Sequence, residues 1–266
     1  MNNNPIGILD SGLGGLTVWK EIVELLPHES TVYIADSFNT PYGTKTPEEI
    51  FQLSKRSVDF LIEKQAKIIV TACNAISVSC IDLLRDTYPD ISIVGTFPAV
   101  KTAVKVSKNK RIGILATTRT TTSVYQSELI NQFASDCKVF KHGTDAIVPL
   151  IEKGEMKGVK MKKILEDVLA QFKVEGIDCL VLGCTHFPFI RDQMQEILGP
   201  GVVIVDSGEA IARRVKWLLE QYHRLAEKDR KPEYSFYTTG DKEIAKNTLN
   251  ITIEGKELPD FLAVNL

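Results

Sequence analysis

The chain predicts an α/β fold: two similar lobes with largely parallel sheets, and a site in the cleft between them. Three observations carry this. Short apolar runs rich in Val and Ile recur, namely IGIL (6–9), TVYIA (31–35), KIIVTA (67–72), ISIVG (91–95), RIGILA (111–116), CLVLG (179–183) and VVIVDS (202–207). The stretches between them have helical periodicity, and strands that alternate with helices imply a parallel sheet covered on both faces. Finally, the sequence echoes itself. IGILDS at 6–11 matches RIGILATT at 111–118, and IIVTACNA at 68–75 matches CLVLGCTHF at 179–187. Asp10 to Cys73 spans 63 positions and Ala116 to Cys184 spans 68, so each half runs from one strand to a later strand that ends in Cys. The expected lobes are 1–98 plus 208–266, and 99–207. The tail returns to the first lobe because YSFYTTGD (234–241) reads as another strand leading into a turn.

The first run stops at Asp10, and Ser11, Gly12, Gly14 and Gly15 follow. A glycine-rich turn after a strand suggests a phosphate loop. A dinucleotide loop, however, needs Gly-x-Gly-x-x-Gly, and its sixth position here is Thr17. Asp10 also argues against phosphate, since like unit charges 4 Å apart repel by about 4 kcal/mol at an effective dielectric of 20. The carboxylate suits an ammonium group, and the amides beyond it suit an anion or a thiolate. The loop therefore reads as one wall of a small zwitterion site, with Asp10 near Cys73.

Asp36 ends the second run and either hydrogen-bonds a ribose or caps a turn. TPYGT (40–44) is a turn whose amides suit a carboxylate. Thr46, Pro47 and Glu49 mark a helix start, with Thr46 as N-cap, Pro47 at N1 and Glu49 closing a capping box. Ligands of parallel sheets sit beyond the C-terminal strand ends. Four groups fall there: Asp10–Ser11, Cys73–Asn74, Thr117–Thr118 and Cys184–Thr185–His186. Glu152, after VPLI, reads as a solvated helix end, and the KMKK run as an exposed helix face.

Composition sets the outer limits. With 266 residues, 44% hydrophobic, 25% charged and a net charge of −2, the chain fits a soluble globular protein. There is no basic excess to suggest nucleic acid, and no run of 18 apolar residues to suggest a membrane span. MNNNP has none of the regions of a signal peptide. An odd number of cysteines (73, 80, 137, 179 and 184) fits reduced thiols in the cytoplasm.

Two of those thiols suggest chemistry. Cys73 and Cys184 stand at matching places in the echo, with polar neighbours. If the lobes face each other, one thiolate can take a proton from a carbon while the opposite thiol returns one, and the configuration inverts. Each sits where a strand hands over to a helix, which favours a thiolate. Cys137 and Cys179 read as core, and Cys80 as lying on a helix face. His186 is an acid or base beside Cys184, or a helix cap. Cys184 and His186 also raise zinc, but the paired ligand spacing is missing, so no metal is expected.

The ordered set ILDSGLGGLTV, PYGT, TACNA and LGCTHFP, followed by VDSGEAIA and YTTGD, resembles the bacterial glutamate racemases, within the wider group of aspartate, glutamate and hydantoin racemases. The resemblance implies flavodoxin-like lobes around a cleft and no cofactor. It implies interconversion of L- and D-glutamate, supplying D-glutamate for the bacterial cell wall, and a homodimer. By resemblance, Cys73 and Cys184 match the acid–base thiols, with Asp10 and His186 as their polar partners. Ser11, Tyr42, Gly43, Asn74 and Thr185 match positions that hold the substrate's charged groups. The family's usual Thr after Cys-Asn is Ala75 here. Its backbone amide remains, but a hydroxyl hydrogen bond of about 0.5–1.5 kcal/mol is missing. The alternatives are an aspartate racemase or another member of the wider group, and a non-catalytic nucleotide- or amino-acid-binding module resting on the glycine loop and Asp36.

Overall fold

Strand β1 (Ile6–Asp10) is buried along its whole length, which is why its sequence is apolar up to Asp10 rather than alternating. It is a central strand of the first of two sheets in the computed structural model, which describes residues 1–253, 255 and 258–266. After β1 come α1 (Leu16–Leu25), β2 (Thr31–Ala35), α2 (Pro47–Glu63), β3 (Ile68–Thr71), α3 (Asn74–Thr87) and β4 (Ile93–Gly95). The chain then crosses to the second lobe. Here lie α4 (Val100–Val106), β5 (Arg111–Ala116), α5 (Thr118–Thr121), α6 (Val124–Phe133), β6 (Lys138–Gly143), α7 (Val148–Ile151), α8 (Val159–Val174), β7 (Cys179–Gly183), α9 (Arg191–Leu198) and β8 (Val203–Val205). It returns through α10 (Gly208–Gln221) to β9 (Tyr234–Thr238), α11 (Lys242–Thr252) and β10 (Phe261–Ala263).

The echo in the sequence is an echo in topology. The first sheet has the order β10-β9-β2-β1-β3-β4 and the second β6-β5-β7-β8. The central pairs β1/β3 and β5/β7 are adjacent and parallel, and they are followed by Cys73 and Cys184 respectively. Both sheets are covered on two faces. Leu16, Trp19 and Ile22 of α1 pack with Ile211 and Val215 of α10 on one face of the first sheet, while Ile50, Val58, Ile76 and Leu84 of α2 and α3 pack on the other. In the second, Leu165, Leu169 and Phe172 of α8 cover one face, and Val100 and Ala103 of α4 the other.

The Thr46 capping box with Pro47 and Glu49 forms as expected. One cysteine departs from expectation, and Cys80, on the buried face of α3, does not. Cys137 is partly exposed, since it lies at the start of the edge strand β6. Cys80 is buried where α3 breaks its helical geometry, at φ −150° and ψ 15°. Among the described residues no helix is long and apolar enough to cross a membrane.

A buried ion pair ties the N-terminus to the tail. Lys67 Nζ donates to Glu29 Oε2 at 2.5 Å and to the Asn2 carbonyl at 2.6 Å, and Glu29 Oε1 accepts the Ala226 amide at 2.8 Å. Burial pulls the Lys67 pKa down against the pull of Glu29. Glu29→Ala leaves this ammonium buried and uncompensated, so it is expected to cost about 3–5 kcal/mol. Denaturant unfolding of the variant checks it.

Candidate active site

The C-terminal ends of β1, β3, β5 and β7 converge on one small cavity. Its walls include Ser11, Tyr42, Gly43, Cys73, Asn74 and Ala75 from the first lobe, and Thr117, Cys184, Thr185 and His186 from the second. Pro41 and Val148 complete the lining. The structure thus brings together nine of the ten residues singled out by sequence as catalytic or substrate-binding. The tenth, Asp10, lies buried directly behind them.

Each thiol has its own buried partner. On the first lobe, Cys73 Sγ is 3.4 Å from the Ser11 hydroxyl. Asp10 Oδ1 accepts the Ser11 amide at 2.6 Å, and Oδ2 accepts the Gly15 amide and, across the cleft, the Thr185 hydroxyl at 3.3 Å. Burial lifts the Asp10 pKa to about 6; the charge of His186 opposes the rise and that of Glu152 adds to it. Burial and then the Asp10 charge push the Cys73 thiol well above its usual pKa, against hydrogen bonds from Ser11 and the Ile76 amide.

On the second lobe, Cys184 Sγ is 3.8 Å from His186 Nδ1, and His186 Nε2 is 2.6 Å from Glu152 Oε1. Burial works against a charged His186. Its hydrogen bonds to Cys184 and Glu152, and their negative charge, nevertheless hold its pKa well above the ordinary imidazole value. His186 is therefore the neighbour of Cys184 and not a helix cap; its side chain caps nothing in the short turn Phe187–Ile190.

Glu152 is a correction. Its side chain is 7% exposed, not solvated, because the end of α7 turns it toward the first lobe. There Glu152 Oε1 also accepts the Leu13 amide at 2.6 Å. A lone Glu before KGE carries no sequence signal of this. It becomes visible only once the glycine loop is seen to have an anion to hold.

That anion settles the loop. A Cβ at Gly12 would run into the Glu152 carboxylate, and one at Gly14 into the His186 ring. The amides that suggest a phosphate cradle are occupied by the protein's own side chains: those of Ser11 and Gly15 by Asp10, that of Leu13 by Glu152 and that of Gly14 by His186 Nε2. Asp36 likewise has partners of its own: it accepts hydrogen bonds from the Tyr42 hydroxyl at 2.6 Å, from Asn39 Nδ2 and from Thr239 Oγ1. A nucleotide-binding module loses both its supports. Asp36 instead holds the Tyr42 hydroxyl, and Tyr42 and Gly43 of the turn Tyr42–Thr44 line the cavity. Among the described residues no group of three or more His, Cys, Asp or Glu side chains is placed to hold a metal ion.

The site can be compared with known proteins. The model of the family "Asp/Glu/Hydantoin racemase" matches residues 6–215, which is most of the chain. The chain belongs to this racemase family. Within the Asp/Glu/Hydantoin racemases, it is 38% identical over 247 residues to a glutamate racemase of Stutzerimonas stutzeri, covering 93% of each chain. A glutamate racemase isoform from Bacillus anthracis superposes with a TM-score of 0.90 at 30% identity, covering 100% of this chain and 99% of that one. Glutamate racemase from Francisella tularensis in complex with D-glutamate gives 0.86 at 28%, covering 100% and 98%. As a member, the protein is an amino-acid racemase, an isomerase.

Proposed function

We propose that the protein interconverts L- and D-glutamate by proton transfer at the α-carbon between Cys73 and Cys184, with no cofactor. The observation that carries this is the pair of thiols at equivalent strand ends, lining one cavity from opposite lobes. The substrate class is supported by the glutamate racemase relatives and by the D-glutamate complex of a close structural neighbour.

In this reading one thiolate removes the α-proton, and the other thiol delivers a proton to the opposite face. Asp10, held by the Ser11 and Gly15 amides, exchanges a proton with Cys73. His186, held by Glu152, does the same for Cys184. The Asp10 carboxylate and the Asn74 Oδ1, which is buried without a hydrogen-bond partner among the described residues, attract the ammonium. Amides at Gly43 and at Asn74–Ala75, at the N-terminus of α3, receive the carboxylates. The product supplies D-glutamate for the cell wall. Five free thiols fit a cytoplasmic enzyme, and a homodimer is expected on sedimentation.

The direct test incubates the enzyme with L-glutamate in deuterated water. The expected result is loss of optical rotation with deuterium entering at the α-carbon. Unchanged rotation would overturn the reading, and a clear preference for aspartate in a mixed-substrate assay would reassign the substrate.

Asp10 also sets a pH expectation. Its pKa is near 6 in the folded chain and 3.8 unperturbed, so folding favours its protonated form. Its contribution to stability is therefore fully present below about 3.8 and is lost as the pH rises through about 6. Catalysis has the opposite need, because the proposed role requires the carboxylate. The rate is expected to fall on the acid side with an apparent pKa near 6. Asp10→Asn should lose most of the activity and, in what remains, this acid limb. A pH–rate profile of both proteins decides it.

A further inference from the structure

We propose that Arg119 is a positioning residue, a latch that holds the two lobes shut over the substrate; the inference rests on the racemase reading above.

The two sides of the cleft are closed differently. On one side the lobes are tied through the groups flanking the thiols: Leu13 to Glu152, Thr185 to Asp10, and Thr17 Oγ1 to the Thr185 carbonyl at 3.0 Å. Parting that side breaks the contacts by which the opposite lobe holds Glu152 and Asp10, the carboxylates behind the two thiols. On the other side, the turn Tyr42–Thr44 of the first lobe lies against α5 of the second. Gly43, a cavity wall, presses on the second lobe so closely that a Cβ there would run into Asp145 Oδ1 and lie 3.0 Å from Thr117 Cβ. Asp145 is itself held by the Thr118 amide at 3.2 Å.

Arg119 spans this seam. Its Nη2 donates to the carbonyl of Lys45 at 2.6 Å, and Lys45 is the residue that closes the turn. Among the described residues Arg119 makes no ion pair. Its Nε is buried with no acceptor among the described residues. A guanidinium with no counter-ion, set on one carbonyl of the opposite lobe, is a poor surface stabiliser and a good catch. Arg119 does not line the cavity, so it acts through the turn that carries Gly43 and not on the substrate. Opening at this seam frees the Gly43 wall of the cavity while the cross-lobe contacts of Glu152 and Asp10 stay in place.

The test compares Arg119→Ala and Arg119→Lys with the native enzyme in steady-state glutamate racemisation, with thermal unfolding and hydrogen exchange at residues 42–45 alongside. Lysine keeps a cationic donor for the Lys45 carbonyl and removes the orphaned Nε. For Arg119→Ala the expected result is a KM raised about fivefold or more with kcat within about twofold. The unfolding midpoint stays unchanged and exchange at 42–45 becomes faster. Arg119→Lys should restore most of both readouts. The latch is overturned if Arg119→Ala leaves KM and exchange unchanged, or if both variants lose kcat together with thermal stability. A native enzyme that does not racemise glutamate sinks the functional reading instead, and the exchange data then decide the latch alone.

Discussion

Cys73→Ala and Cys184→Ala are each expected to lower the racemisation rate by about 10²–10⁴-fold or more, the range that a positioned acid or base contributes. The two losses should not add, because the thiols act in one sequence and removing either already breaks it. The variants should also differ in kind. With one thiol left, a proton can be taken from and returned to a single face of the α-carbon. Each variant is then expected to exchange the α-hydrogen of one enantiomer with deuterated water, slowly and without inversion. The enantiomer should be opposite for the two variants, since the thiols line the cavity from opposite lobes. Proton resonance of the α-hydrogen, with chiral chromatography, reads both effects. Retained inversion in either variant removes the two-thiol mechanism. So does exchange of the same enantiomer in both.

The fold was largely readable in the sequence because central strands of a parallel sheet are buried on both faces and therefore write themselves as apolar runs. β6 shows the limit of this. Its sequence, KVFKHG, has exposed and half-buried positions because it is an edge strand, and only its register with β5 marks it as one. β10 is a three-residue edge strand with two exposed positions and has the same weakness. The site followed a similar rule. Groups placed by strand ends, such as Asp10, Cys73 and Cys184, could be found by position. Groups that reach the site by side-chain direction could not, as with Glu152. Val148 is hidden differently, since an apolar residue in a lining looks like any core residue. Tyr42 and Asp36 were found as separate candidates, but only three dimensions show that one holds the other.

The second large effect is expected from Gly12→Ala, a change of one methyl group. Its Cβ would enter the space of the Glu152 carboxylate. Glu152 is the only acid paired with His186 among the described residues, and it also accepts the Leu13 amide, so both contacts must shift together. Displacing it removes the negative partner that helps to hold His186 charged beside Cys184. The expected loss is about 10²-fold in kcat/KM, the lower end for a displaced acid–base group. Stability should fall by about 1–3 kcal/mol for overpacking at a buried polar contact. Glu152→Gln keeps the shape but not the charge, and should reproduce the activity loss with a smaller stability cost. Combined with Glu152→Gln, Gly12→Ala should add little further loss of activity, because both act on one contact. A phosphate loop predicts something else: Gly12→Ala would then alter nucleotide binding and leave Glu152 irrelevant. Full additivity in the double variant would show that the loop and Glu152 act separately. Shared loss would show that Gly12 is there to admit a carboxylate carried in by the opposite lobe.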